Sequence, residues 1–340
     1  MRLRGHLCQI DFEFRSSRTG RDRERHAALV RSKPHYALRR DPASIFSTAP
    51  IASCSYVGKA KHLNRRVLQH FKGGVVPRPS RQQVAAAATE WLCWIETESE
   101  LHALVLEDSL IKGYSPIANK QLKKWRLNRY ICIGESSHHL IRSVGIDEAV
   151  LHRYRSRFGP YPNRFVAEKL LALGAHYFGI SKLVSGESGS IYGEIWAERD
   201  CDVAGFEGFL SAESDEIVDL IRAEIDVLAS SHRYEEAATA RERLEYAIAH
   251  LGRARFAHQF VYRNLIIHDD TREGRCWIFT HGSIDPSFTH RSPDDDYTRH
   301  AERSNCKGRN EPIDWALVDR AEIVRRYVTR SKDRYRYSFY

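Results

Sequence analysis

CSYVGKAKHLNRRVLQHF, residues 54–71, decides how this chain is read. Ser53 to Val57 reads as a strand that Gly58 ends. Leu63, Val67 and Phe71 then recur every four residues as one face of a helix. Lys59, Lys61, Arg65, Arg66 and Lys72 crowd the junction and the residues after it. Taken alone, such a run is most often a solvated basic face; the alternative is half of a phosphate-handling site.

The flanking sequence supplies the partner elements. EWLCWIET, residues 90–97, is a second aromatic and apolar strand. Thr97 followed by Glu100 has the spacing of a capping box, opening a helix striped by Leu101, Leu104, Val105 and Ile111 that Pro116 stops. Strand, helix, strand and helix within about 70 residues describe a compact α/β unit. Glu107 falls between Ala103 and Ile111 at the edge of the apolar stripe, an unusual place for a purely solvating charge.

Charge lies in blocks. The whole chain has 340 residues with 53 Lys and Arg against 44 Asp and Glu, a net charge of +9. Residues 56–82 hold seven basic residues and no acid, and residues 112–129 hold six and none. Residues 187–219 reverse the sign, with ten acids and only Arg199. A polyanion is therefore expected to prefer the first 130 or so residues, where each phosphate contact releases counterions. The seven cysteines are scattered without a C-x-x-C pair, so they read as reduced thiols of a cytoplasmic protein. No apolar run has the length of a signal peptide core or a membrane span.

Beyond residue 126, RFGPYPNR at 157–164 reads as turn-rich punctuation, followed by the helix FVAEKLLALGAHYF. Gly186 to Gly205 reads as an acidic linker. Residues 215–251 give two helical runs broken at Ser230-Ser231-His232. Ile217, Leu220, Ile221 and Leu228 face Ala237, Ala240, Leu244 and Leu251 in an antiparallel hairpin with a narrow core of its own. NLIIHDDTREGRCWIFTHGSI, from 264, reads as two short strands about a turn. The expected organisation is a basic extension over 1–40, an α/β domain over 41–126, a connecting region over 127–205, the hairpin within 206–255 and a small unit over 256–340.

Four of these blocks, in order over roughly residues 41–255, resemble the GIY-YIG nuclease family in the form found in the bacterial excinuclease component UvrC. YVGKAKHLNRRVLQHF is similar to the second half of the family signature, and TESELHALVLEDSLIKGYSPIANKQLK to its glutamate-containing helix. RFGPYP resembles a short segment downstream. YEEAATARERLEYA resembles the UVR motif, through which UvrC proteins contact the excinuclease component UvrB. The resemblance implies a small nuclease domain with a short mixed sheet flanked by helices, followed by a helical region and a UVR-type hairpin. It implies a 3′-side incision of DNA during nucleotide excision repair.

Carried over residue by residue, the family's catalytic positions fall on Tyr56, Lys59, Arg66, Glu107 and Asn119, and His70, four residues after Arg66, stands where UvrC proteins usually have tyrosine and other GIY-YIG nucleases have histidine. The spacing of ten residues from Tyr56 to Arg66 and of twelve from Glu107 to Asn119 matches the family. The chemistry needs these types. A phenol lowered by a neighbouring cation such as Lys59 takes a proton from the attacking water. A guanidinium at Arg66 meets the charge that spreads over the phosphoryl oxygens. Glu107 is the metal position, holding one Mg²⁺ or Mn²⁺ that stabilises the leaving oxygen. Asn119 braces the second half of the site, and the His70 imidazole can relay a proton.

Lys61, Arg65, Lys72, Lys112, Lys120, Lys123 and Lys124 are the expected DNA contacts. Tyr234, Glu235, Ala237, Ala238, Arg241 and Leu244 are the expected contacts with UvrB. The sequence departs from the family at the first signature tyrosine. PASIF at 42–46 puts Ile45 where the first signature tyrosine stands, which leaves a catalytically degenerate accessory protein that binds DNA and UvrB as the alternative to an endonuclease. The family's cysteine cluster has no counterpart, so no iron–sulfur centre is expected.

Overall fold

A computed structural model describes residues 6–8, 44–49, 54–63, 65–66, 91–97, 99–119, 127–135, 141–151, 153–184, 201–271, 276–284, 315–330 and 333–340. The chain divides into two compact units, Met1–Lys123 and Lys124–Tyr340. His70, Lys72, Lys120, Lys123, Lys124, the polar run at 16–26 and most of the acidic linker lie outside the described residues.

The first unit is built on β1 (His6–Cys8), β2 (Ser44–Ala49), β3 (Tyr56–Ala60) and β4 (Trp91–Glu96), in the order β1-β4-β2-β3. Every ladder in this sheet is antiparallel, where a mixed sheet was expected. The basic extension contributes an edge strand to it. Helix α1 (Glu100–Tyr114) packs on β2 and β3 through a small core of Val57, Ala103 and Ile111.

Two local readings change. Gly58 lies inside β3 instead of ending it. A Cβ there would come within 2.7 Å of the Tyr56 hydroxyl, so the glycine makes room for the phenol two residues back on the same face. The helix N-cap is Ser99, whose hydroxyl accepts the His102 N–H at 3.0 Å, while Thr97 Oγ1 donates to the Ser99 carbonyl. At the other end Ser115 takes a left-handed conformation at φ 47° and Pro116 follows it.

The second unit begins with β5 (Arg129–Ile133), β6 (Ile141–Gly145), α2 (Ile146–Leu151) and β7 (Ser156–Tyr161), forming a sheet of order β6-β5-β7. RFGPYP is therefore mostly strand. Pro160 is tolerated because β7 is an edge strand, and Gly159 sits at φ 129° where the register with β5 shifts. Helix α3 (Arg164–Tyr177) is capped by Asn163, whose side chain accepts the Val166 N–H.

Helices α4 (Val203–Ser211), α5 (Glu216–Ser230) and α6 (Tyr234–Tyr262) complete a shared core in which Ile131, Leu170, Phe206, Phe209, Ile217 and Leu251 are fully or almost fully buried. The hairpin forms over the residues where its apolar pattern placed it. His232 turns the chain at φ 59°, and Arg233 donates its N–H to the Leu228 carbonyl at 2.9 Å. Its base is nevertheless packed on the protein's own sheet and helices. The narrow separate core is confined to the tip, at Leu228, Ala237 and Ala240.

Helix α6 runs unbroken through residue 255, and its last turns support a further antiparallel sheet. This sheet contains β8 (Asn264–Asp269), β9 (Cys276–Thr280), β10 (Ser283–Ile284) and β11 (Tyr335–Phe339), in the order β10-β9-β8-β11. Phe256 meets Phe339 and Phe260 meets Phe279, each at 5.3 Å between ring centres, and α7 (Trp315–Thr329) packs beside α6.

Candidate active site

Strand β3 is the outermost of its sheet, so its free edge exposes backbone donors and acceptors that need partners. The Ser55 carbonyl accepts the Ala118 N–H at 3.0 Å. Asn119 meets Val57 twice: its Oδ1 accepts the Val57 N–H at 2.9 Å, and its Nδ2 donates to the Val57 carbonyl at 2.8 Å. Farther along the strand, Glu107 Oε1 accepts the Lys59 N–H at 3.2 Å. An amide and a carboxylate thus take the place of a neighbouring strand, which fixes both side chains relative to β3.

On the adjoining residues the buried Tyr56 carries the phenol, and Arg66 Nη2 donates to its hydroxyl at 3.3 Å. Leu63, Arg65 and Arg66 are helical, with the Arg66 N–H bonded to the His62 carbonyl, and the Arg66 side chain is exposed. Lys59 was expected to supply the cation near the phenol. Its ammonium lies instead 2.6 Å from Glu100 Oε1, with Lys61 at 3.6 Å from the other oxygen. The cation hydrogen-bonded to the Tyr56 hydroxyl is Arg66.

Burial raises the Glu100 carboxyl, but the hydrogen bond and charge of Lys59 outweigh it and hold the group below the usual range. Glu100 was read only as a capping residue. Its place in the first turn, facing the lysine-rich block, was the available signal.

Glu107 behaves differently. Burial pushes its carboxyl up, and the Lys59 N–H together with the charges of Lys59 and Arg66 only partly offset this. A half-buried carboxylate with one oxygen already fixed is a hard donor whose desolvation a divalent cation would relieve, so the residue fits Mg²⁺ or Mn²⁺ chemistry. Among the described residues no group of three or more His, Cys, Asp or Glu side chains is arranged to hold a metal. The remaining ligands would be phosphate oxygens and waters.

Of the expected DNA contacts that are described, Lys61 and Arg65 are exposed. Lys112 is not: its ammonium pairs at 2.7 Å with the fully buried Asp108, and its side chain is 8% exposed. The i,i+4 spacing of Asp108 and Lys112 carried that signal in the sequence. On the hairpin, Tyr234, Glu235, Ala238 and Arg241 are exposed, Leu244 is half-buried, and Ala237 is buried between the two helices.

The backbone register places Ile45 opposite Lys59 and Thr48 opposite Tyr56. Opposed residues share a face and successive ones alternate, so the positions of Ile45 and Tyr56 fall on opposite faces of the sheet.

Known proteins resemble the chain over this same region. Residues 50–120 match the family model described as the UvrC-like GIY-YIG domain. UvrABC system protein C of Streptococcus pneumoniae serotype 2 is 29% identical over 206 residues, covering 56% of this chain and 32% of that protein. The same protein of Oenococcus oeni is 28% identical over 205 residues, covering 56% and 33%. That of Porphyromonas gingivalis is 27% identical over 264 residues, covering 69% and 43%. The chain spans about a third of the length of the first two relatives. No solved structure matches it. The strand-edge arrangement around Tyr56, Arg66, Glu107 and Asn119 therefore lies within a segment similar to the UvrC-like GIY-YIG domain, and over half of the chain is similar to UvrABC system protein C.

Proposed function

We propose that this chain is a metal-dependent DNA endonuclease of the UvrC type, hydrolysing a phosphodiester on the 3′ side of a lesion during nucleotide excision repair. The observation that carries the reading is the gathering of Tyr56, Arg66, Glu107 and Asn119 along β3 by hydrogen bonds of 2.8 to 3.3 Å. The similarity of residues 50–120 to the UvrC-like GIY-YIG domain supports it.

In this mechanism Tyr56 Oη is the proton acceptor for the attacking water. Arg66 donates to that oxygen at 3.3 Å, and its exposed guanidinium is available to the phosphate. Asn119 and Glu107 keep β3 fixed, so the phenol does not have to be positioned at the moment of reaction. Glu107 would hold a Mg²⁺ or Mn²⁺ ion, which would supply charge stabilisation to the leaving 3′ oxygen. Lys59 acts indirectly, tying the strand to α1 through Glu100.

The tip of the α5–α6 hairpin is the surface offered to UvrB. Val227 and Tyr234 are 66% and 62% exposed beside the small core of Leu228 and Ala237. No helix among the described residues is long and apolar enough to cross a membrane. We place the protein in the cytoplasm with its DNA.

A second reading, a non-cutting accessory that holds DNA and UvrB, is favoured by Ile45 at the first signature position and by a family match that begins only at residue 50. The two separate in one assay, with lesion-bearing duplex, Mg²⁺ or Mn²⁺, and UvrB. Nicking on the 3′ side that disappears in Glu107→Ala supports the nuclease. Intact DNA with binding retained supports the accessory.

A further inference from the structure

Glu100 is the first residue of α1, and its carboxylate is shared by two lysines from the end of β3 and the turn that follows it. Lys59 Nζ lies 2.6 Å from Oε1, and Lys61 Nζ lies 3.6 Å from Oε2. Arg65 and Arg66, one helical turn on, make no ion pair among the described residues. Among those residues Glu100 is thus the only carboxylate in an ion pair with this basic run.

The two contacts differ in kind. Lys59 donates a hydrogen bond, and its side chain is 32% exposed. Burial raises the Glu100 carboxyl, but the hydrogen bond and charge of Lys59 outweigh it, so the group is an anion at neutral pH. This pair is enough to tie β3 to α1. Lys61 stands beyond ordinary hydrogen-bond length, and its side chain is 72% exposed. Exposed pairs of that sort are weak: breaking one costs a factor of about five or less in an equilibrium. The second contact therefore adds little to the brace, yet it keeps an anion against a cation that is open to solvent.

A carboxylate and a phosphodiester each present two oxygens that share one negative charge, so two ammonium groups that straddle the first can meet the second. The phosphate has an advantage that the carboxylate lacks, because each contact with DNA releases counterions. Taking DNA as the substrate, as proposed for the active site beside it, we propose that Glu100 occupies the place of a DNA backbone phosphate in the free protein, and that Lys61 leaves it for that phosphate on binding. Lys59 stays, held by the shorter pair and by its own N–H on Glu107 at 3.2 Å. Glu100 thereby lowers affinity for every duplex, so that retention on DNA depends on the remaining contacts.

The test is fluorescence anisotropy of a labelled undamaged duplex with the full chain, at low salt and with a chelator present so that nothing is cut. Glu100→Gln should bind about two- to fivefold tighter than the wild type, and Glu100→Ala should show the same gain. If Glu100 is only a brace, both variants bind as the wild type does or more weakly. Removal of a negative charge from any DNA-facing surface raises affinity, so the exchange is read from the pairing with Lys61. Lys61→Ala should weaken binding about twofold in the wild type and about tenfold in Glu100→Gln, which leaves the Glu100→Gln gain below twofold once Lys61 is gone. The proposal is overturned if neither Glu100 variant binds more tightly, or if the gain persists in full without Lys61. A wild-type chain that binds no duplex would overturn the DNA reading itself, and this exchange with it; a wild type that binds, with no gain in the variants, overturns the exchange alone.

Discussion

Replacing Asn119 by alanine removes the two hydrogen bonds that close the free edge of β3, at 2.9 Å to the Val57 N–H and 2.8 Å from Nδ2 to the Val57 carbonyl. Val57 is 1% exposed, so its backbone groups have little access to water in the closed state. A net contribution of about 0.5 to 1.5 kcal/mol for each bond gives about 1 to 3 kcal/mol in all. Because β3 is an edge strand, the loss falls on local opening of this segment. Hydrogen exchange of the Val57 amide should therefore accelerate roughly 5- to 150-fold at fixed pH, each 1.4 kcal/mol being about tenfold. The amides of α6 in the second unit serve as the internal control and should exchange at the wild-type rate. Nicking should fall with the same variant, since the phenol of Tyr56 is carried on the loosened strand. An unchanged Val57 exchange rate would refute the reasoning, because it would mean that the amide side chain does not hold the edge.

Other perturbations test neighbouring parts of the account. Gly58→Ala puts a Cβ 2.7 Å from the Tyr56 hydroxyl, so the phenol must shift and loosen its bond to Arg66. Nicking should drop about 100-fold with DNA affinity unchanged, and a wild-type rate would show that the ring position is unimportant. Glu107→Gln should abolish nicking without weakening the fold. The Glu107 carboxyl is raised by burial, so the folded chain holds its proton more tightly than the unfolded one. That contribution to stability is lost as pH rises from the unfolded pKa through the folded one. The glutamine variant should lack this downward step and melt no lower than the wild type at pH 7; a large drop in melting temperature would contradict the burial argument. At the hairpin tip, Tyr234→Ala should leave the melting temperature unchanged, because the ring is 62% exposed, and should weaken capture of UvrB in a pull-down. Undiminished capture would remove the tip from the interface.

How much was legible in the sequence depends on whether the cause was local. The apolar period of residues 215–251 and the break at Ser230-Ser231-His232 are local, and the hairpin formed there. The spacing from Tyr56 to Arg66 put the two side chains in reach of one another across a strand-to-helix turn. Gly58 was misread because a glycine that ends a strand and one that makes room for a neighbouring ring look alike in a string of letters. RFGPYP was misread for a related reason: proline and glycine usually mark turns, but an edge strand with a register shift tolerates both. Ser99 took the cap from Thr97 because backbone conformation decides between nearby hydroxyl residues. The commitment of Lys59 to Glu100, and the use of Asn119 and Glu107 as strand-edge partners, are tertiary. No periodicity announces them. The docking of the hairpin base on β5, α3 and α4 was hidden for the same reason, since the small sheet it covers had not been read as a sheet.

The central claim is that Tyr56 takes the proton of a water attacking DNA, with Arg66 at 3.3 Å from its hydroxyl. Single-turnover nicking of a lesion-bearing duplex by Tyr56→Phe, with Mg²⁺ or Mn²⁺ and UvrB present, tests it most directly. Removing one oxygen should cost about 100- to 10,000-fold in rate, the range for a positioned general base, with DNA affinity unchanged. A phenylalanine variant that cuts at the wild-type rate would contradict the account.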